Sequence, residues 1–230
     1  MKTPDFARLG PPPFERKDLL FLFEHFPVPG VNAEAAVRMV HERPSTLDSV
    51  LDSRYLFEAI RDHNVSWLEV SPRLFFSVLL RRALGGRRRR AEERRTLHYV
   101  AHLLELFTRA DRLYRVQPGE PQTYEYVVDL VQEAAQAGPE RAFAVQSHIG
   151  NYALFLAGMC RPWIEHRHRY GRRPVDVQYY CRMGRGYYFM ASRHRMAEQL
   201  GLREVFGELA GRFDYYRDGL ERMAAEYLPH

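Results

Sequence analysis

The sequence predicts an all-α fold in one domain of about nine helices. Three observations carry that reading. Apolar residues recur at three- and four-residue steps along nearly the whole chain, Pro and Gly fall between the periodic stretches, and no repeat, low-complexity tract or Ser/Gly linker divides it. One stretch departs from the pattern. Val65 to Val70 alternates loosely and is compatible with a short strand near 65–70.

Residues 1–13 end in Pro11-Pro12-Pro13, which predicts an extended Pro-rich N-terminal arm ahead of a helical domain over 14–230. Phe14 to Phe26 reads as a short helix closed by Pro27-Val28-Pro29-Gly30, and Asn32 can cap a second running to about His41. Ser45-Thr46-Leu47-Asp48 has the form of a capping box, with a helix expected to about Asp62. Ser71-Pro72 opens the next, Arg73 to Leu84, apolar on most sides and so expected to be central. After Gly85-Gly86, Arg87 to Arg90 reads as a solvated lead-in to a long helix over Ala91 to Val116. Pro118-Gly119-Glu120-Pro121 breaks the chain before a helix over Gln122 to Ala137. Gly138-Pro139 opens the helix that carries Gly150, Leu154 and Gly158 at four-residue steps, two places for close approach of a neighbouring backbone. Cys160-Arg161-Pro162-Trp163 turns it, and Gly171 to Pro174 introduces a helix to about Leu200. From Leu202 to Tyr227 the apolar spacing predicts one long helix or two meeting near Gly211.

The longest apolar run, Tyr152 to Cys160, is far short of the roughly 20 residues a membrane span needs, so no membrane insertion is expected. The opening Met1-Lys2-Thr3-Pro4-Asp5 lacks a secretory apolar stretch. Cys160 and Cys181 fit neither a disulfide framework nor a C-x-x-C site, and the expected location is cytoplasmic. There is no Gly-Lys pair for a P-loop, no G-x-S-x-G, and His41-Glu42 lacks the second His of H-E-x-x-H.

The net charge of +5 conceals two basic segments. Lys occurs only at positions 2 and 17, so Arg supplies 32 of the 34 basic residues. Nine arginines from Arg73 to Arg95 face Glu92 and Glu93, a local +7. Nine more from Arg161 to Arg195 face Glu165 and Asp176, again +7, and the remainder of the chain stands at −9. Such segments either pair with acids inside the fold or present a surface to an anionic partner. In the second, Arg167, Arg169, Arg172, Arg173, Arg182 and Arg185 interleave with tyrosines that include Tyr179 and Tyr187. That mixture can hold phosphates and stack bases, and it can equally be core tyrosine beside solvated arginine.

A different chemistry is suggested by His98, His102 and Glu105, at i, i+4 and i+7 of the long helix. They line one edge of its apolar face and could begin a divalent-metal site that His148 completes from a facing helix. The alternative is a polar stripe at the core boundary with Glu105 paired to Arg109.

The run from Gly150-Asn151-Tyr152-Ala153-Leu154-Phe155-Leu156-Ala157-Gly158 through Tyr179-Tyr180, Gly184, Tyr187-Tyr188 and Glu208 to Phe213 resembles a family of uncharacterised all-helical bacterial proteins with no established activity. That family has an acidic residue where this chain has Asn151, so no acid or ligand role carries over there. The expectations are therefore a non-enzymatic binding protein with an anionic partner, nucleic acid or acidic protein; a metal-binding protein or metal enzyme; or a homodimer packed through the Gly150/Gly158 face or the C-terminal stripe.

Overall fold

The computed structural model describes residues 3–7, 14–25, 44–62, 69–85, 89–170 and 175–228. Among these residues the chain is all-α, with one 3-10 turn, Asp5–Ala7, and thirteen α-helices. They are α1 (Arg16–His25), α2 (Pro44–Leu51), α3 (Arg54–Asp62), α4 (Pro72–Ala83), α5 (Ala91–Phe107), α6 (Ala110–Leu113), α7 (Val127–Gln136), α8 (Pro139–Met159), α9 (Arg161–Arg169), α10 (Val177–Arg193), α11 (Arg195–Gln199), α12 (Arg203–Gly211) and α13 (Phe213–Tyr227). The expected helix from Asn32, residues 65–68 of the strand-like stretch and Pro11–Pro13 lie outside the described residues.

The helix count exceeds nine for local reasons. Ser53 accepts from the Leu56 N–H at 3.2 Å and starts α3, so the helix expected from Ser45 to Asp62 is two. It also begins at Pro44, and Asp48 is used elsewhere than in a capping box. Extended backbone at Arg109 (φ −93°, ψ 110°) separates α6 from α5. The imidazole of His194 caps α11 through the Met196 N–H at 3.1 Å and cuts it from α10. Arg212 divides α12 from α13, which selects the second of the two alternatives for the C-terminal stripe. Finally, Pro162 sits in the first turn of α9, where its missing N–H is harmless; it opens a helix that the sequence reading took for a turn.

The axis of the fold is α8. Its buried residues run almost without interruption from Phe143 to Gly158, on all sides, because α7, α9, α10 and α13 all pack on it. Around that centre, α4 pairs with α5, α5 with α12, and α4 with α13. Two glycines set the spacing. A Cβ at Gly150 would stand 2.8 Å from the Tyr188 ring, and one at Gly158 would stand 2.6 Å from the Leu220 Cβ and 3.2 Å from the Arg217 carbonyl. The glycine face proposed for a homodimer is thus filled by α10 and α13 of the same chain. Leu202, Phe206, Leu209, Phe213, Tyr216, Leu220 and Met223, the C-terminal stripe, are likewise buried within it.

Residues 3–7, the described part of the expected N-terminal arm, pack into the fold. Phe6 is 2% exposed and sits in the main core, its ring 6.3 Å from that of Phe143.

Candidate functional site

The two basic segments have opposite fates. Of the first, Arg81 is 1% exposed and bonds Asp48, with Asp52 at 3.3 Å. Arg89 donates to the Arg81 and Gly85 carbonyls at 2.9 and 2.8 Å, satisfying the end of α4, and pairs with Asp52. Its Nε lies 3.8 Å from Glu93, which Arg212 approaches at 3.5 Å and Tyr215 bonds at 2.9 Å; Arg212 in turn holds Glu208 at 2.6 Å. Arg94 reaches Asp48 and Arg95 reaches Glu204. Arg81, Arg89 and Arg94 thus serve internal acids, while Arg82 and Arg90 are exposed and Arg87 and Arg88 lie outside the described residues; Arg89 is a buried structural group, not part of a solvated lead-in.

The second segment keeps its charge outward. Trp163 on α9 and Tyr170 at its C-cap are 42% and 62% exposed. They lie one and two turns along the same stripe as His166 and Arg167, since positions i, i+3, i+4 and i+7 share a helix face. The Arg167 guanidinium stacks 4.8 Å from the Trp163 ring, and the His166 and Tyr170 rings are 4.6 Å apart. Arg169, Arg182 and Arg195 are exposed and have no acidic partner among the described residues. Two arginines of the segment are tied down: Arg161 by Glu165 and Glu221, and Arg185 by Asp214. Arg172 and Arg173 lie outside the described residues. Tyr179 and Tyr187 are half-buried, and burial together with the neighbouring Tyr179 pushes the Tyr187 hydroxyl up. Sequence reading missed the exposed Phe189 and Met190 on α10, with Arg193 5.6 Å over Phe189; helical periodicity marks them only as apolar.

The four residues expected to ligate a metal go to three separate places. His98 stands 3.5 Å from both Asp48 and Arg81. Burial pushes the Asp48 carboxyl up, but the His98 hydrogen bond and the Arg81 charge more than offset this and hold it below the usual carboxylate range. His102 is engaged at both ring nitrogens. A carbonyl can only accept, so the Nε2–H donates to Asp5 O at 2.9 Å, while Nδ1 faces Arg73 and Glu105. Glu105 pairs with Arg73 at 2.8 Å, not with Arg109, and its carboxyl is pushed up by burial yet held low overall by His102 and Arg73. A guanidinium therefore occupies the position a cation would need. His148 donates to the Leu113 carbonyl at 3.3 Å; burial and the nearby Arg112 charge push it down to about 3, so the ring is neutral at physiological pH. Among the described residues no three His, Cys, Asp or Glu side chains are grouped as metal ligands.

Two buried polar arrangements near His102 and His148 had no clear sequence signal. Asn151 accepts hydrogen bonds from the hydroxyls of Tyr99 (2.7 Å) and Tyr188 (2.8 Å), and burial pushes both phenols well above their ordinary range. Asn151 thus lies in the core. Arg112, 2% exposed, clamps the Asp5 carboxylate through Nε (3.0 Å) and Nη2 (2.8 Å).

Comparison of the chain with protein-family models, curated proteins and solved structures gives no match.

Proposed function

We propose that this is a binding protein for single-stranded nucleic acid, and that α9 with the start of α10 forms its contact surface. The observation that carries the reading is the arrangement on α9: Arg167 and Arg169 are free of acids on the helix that exposes Trp163 and carries Tyr170 at its end, with Arg182 of α10 likewise free of acids, whereas Arg73, Arg81, Arg89 and Arg94 of the first segment are spent on acids. Aromatic faces accept bases of any sequence, and unpaired arginines meet phosphates. An acidic protein would use the charge but leave the aromatic faces without a role.

The test is fluorescence anisotropy with labelled single-stranded DNA and RNA. Three phosphate contacts give a log–log salt slope of roughly −2, so affinity should fall roughly 20-fold between about 50 and 200 mM salt. Trp163 is one of only two tryptophans, so a Trp67→Phe background isolates its emission, which base stacking should quench. Arg167→Ala with Arg169→Ala should flatten the slope. Equal affinity for polyglutamate would assign an acidic protein instead, and salt-independent or absent binding would overturn the anionic reading altogether.

A further inference from the structure

Residues 3–7 cover a set of buried polar and aromatic groups on α5, α6 and α8. The turn Asp5–Ala7 makes its own backbone bonds locally: Ala7 N–H donates to the Pro4 carbonyl at 3.0 Å, and Phe6 N–H to the Asp5 side chain at 2.9 Å. Three groups join it to the helices. The Asp5 carboxylate lies across the Arg112 fork, the Asp5 carbonyl accepts from His102, and the Phe6 ring lies against Phe143. A carboxylate, a second acceptor and an apolar body held at three points form the pattern by which a small molecule is bound.

The receiving groups are built into the core independently of the turn. Arg112 on α6 is fixed by donating to the Arg115 and Val116 carbonyls at 2.5 and 3.4 Å, so its remaining N–H groups point at Asp5 whatever fills that place. His102 on α5 is oriented by Arg73 and Glu105, Phe143 on α8 by Phe206 and His194. A buried guanidinium deprived of its anion is left with uncompensated charge, so a vacated site demands another carboxylate.

We propose that Arg112, His102 and Phe143 form a binding site for an amphipathic carboxylate, and that residues 3–7 occupy it in cis. The ligand class is a carboxylate joined to an apolar, preferably aromatic, body. The chain's own Asp5-Phe6 is the resident competitor, so a free ligand gains access as that segment leaves.

The experiment uses the full chain with Asp5→Ala and follows its thermal unfolding with 3-phenylpropionate as the probe and the neutral 3-phenylpropanamide as control. At about ten times its Kd the carboxylate should raise the Asp5→Ala midpoint by roughly 3–6 °C, saturably. The amide should not, nor should the wild type respond at the same concentration. Arg112→Gln added to Asp5→Ala should abolish the response. If Asp5→Ala does not fold in buffer, recovery of folding with the carboxylate but not the amide is the same positive result. An Asp5→Ala chain that gains nothing from the carboxylate over the amide, or whose gain survives Arg112→Gln, overturns the proposal.

Discussion

Gly150→Ala adds one methyl group to the middle of α8, and its effect follows from two opposed quantities. Alanine in a helix interior is favoured over glycine by about 1 kcal/mol. Against that, the new Cβ would stand 2.8 and 2.9 Å from two Tyr188 ring carbons, closer than any relaxed contact. The ring has little room to yield, with Phe206 and Phe213 at 5.6 and 6.3 Å and its hydroxyl bonded to Asn151 at 2.8 Å. Overpacking costs about 1–3 kcal/mol, and pulling a buried hydroxyl from its partner costs about 1–3 more. The net loss is roughly 3 kcal/mol, which for a chain of this length lowers the thermal midpoint by about 6–12 °C. Gly186→Ala is the internal control: it lies in α10 with open space where the Cβ would go, so only the propensity gain remains, about 1 kcal/mol and a rise of about 2–4 °C. Urea and thermal unfolding of both variants measure the difference. If Gly150→Ala proved as stabilising as Gly186→Ala, the described α8–α10 contact would be wrong.

Two further perturbations test the buried charges. Arg81→Ala takes from Asp48 and Asp52 a shared buried partner while leaving them Arg94 and Arg89, and should lower stability by about 2–3 kcal/mol, measured by urea unfolding; a loss under about 0.5 kcal/mol would refute the buried pairing. His148 takes up a proton near pH 6.5 when unfolded but only at about 3 when folded, so the unfolded state binds more protons between those values and stability must fall as pH drops through that window. His148→Gln should flatten the decline of the thermal midpoint between pH 6.5 and 4, and an unchanged slope would refute the assignment.

The helical class and the close approach at Gly150 and Gly158 were legible because apolar spacing and close-packing glycines are local signals, whereas the centre of the fold is the Gly150 helix and not Arg73–Leu84, where the apolar pattern put it. The breaks at Ser53, Arg109 and His194 were not, since each depends on one cap or one extended residue inside a periodic stretch. At the candidate sites, composition located the Arg- and aromatic-rich segment but could not say which arginines were already paired. Asp214 and Glu221, which pair with Arg185 and Arg161, lie 29 and 60 residues away in the chain. His98, His102 and Glu105 share a helix edge as expected, yet Arg81 and Arg73 from α4 face that same edge, and one helix viewed alone cannot show its neighbour's charges. Asp5 and Arg112, 107 residues apart, illustrate the same limit.

The chain of charges from Asp48 through Arg81, Asp52, Arg89 and Glu93 to Arg212 has a consequence for how this sequence can drift. Arg81 and Arg89 each serve several acceptors at once, on α2, α4 and α5, so a lysine in either place would offer a single point of charge where a fork is required. Loss of any one member weakens its neighbours, each of which keeps a second partner. Substitutions along this line are therefore viable chiefly in compensating pairs, and diverging descendants of the chain should retain or exchange Asp48 with Arg81, and Glu93 with Arg212, as units, while the arginines of α9 vary one at a time.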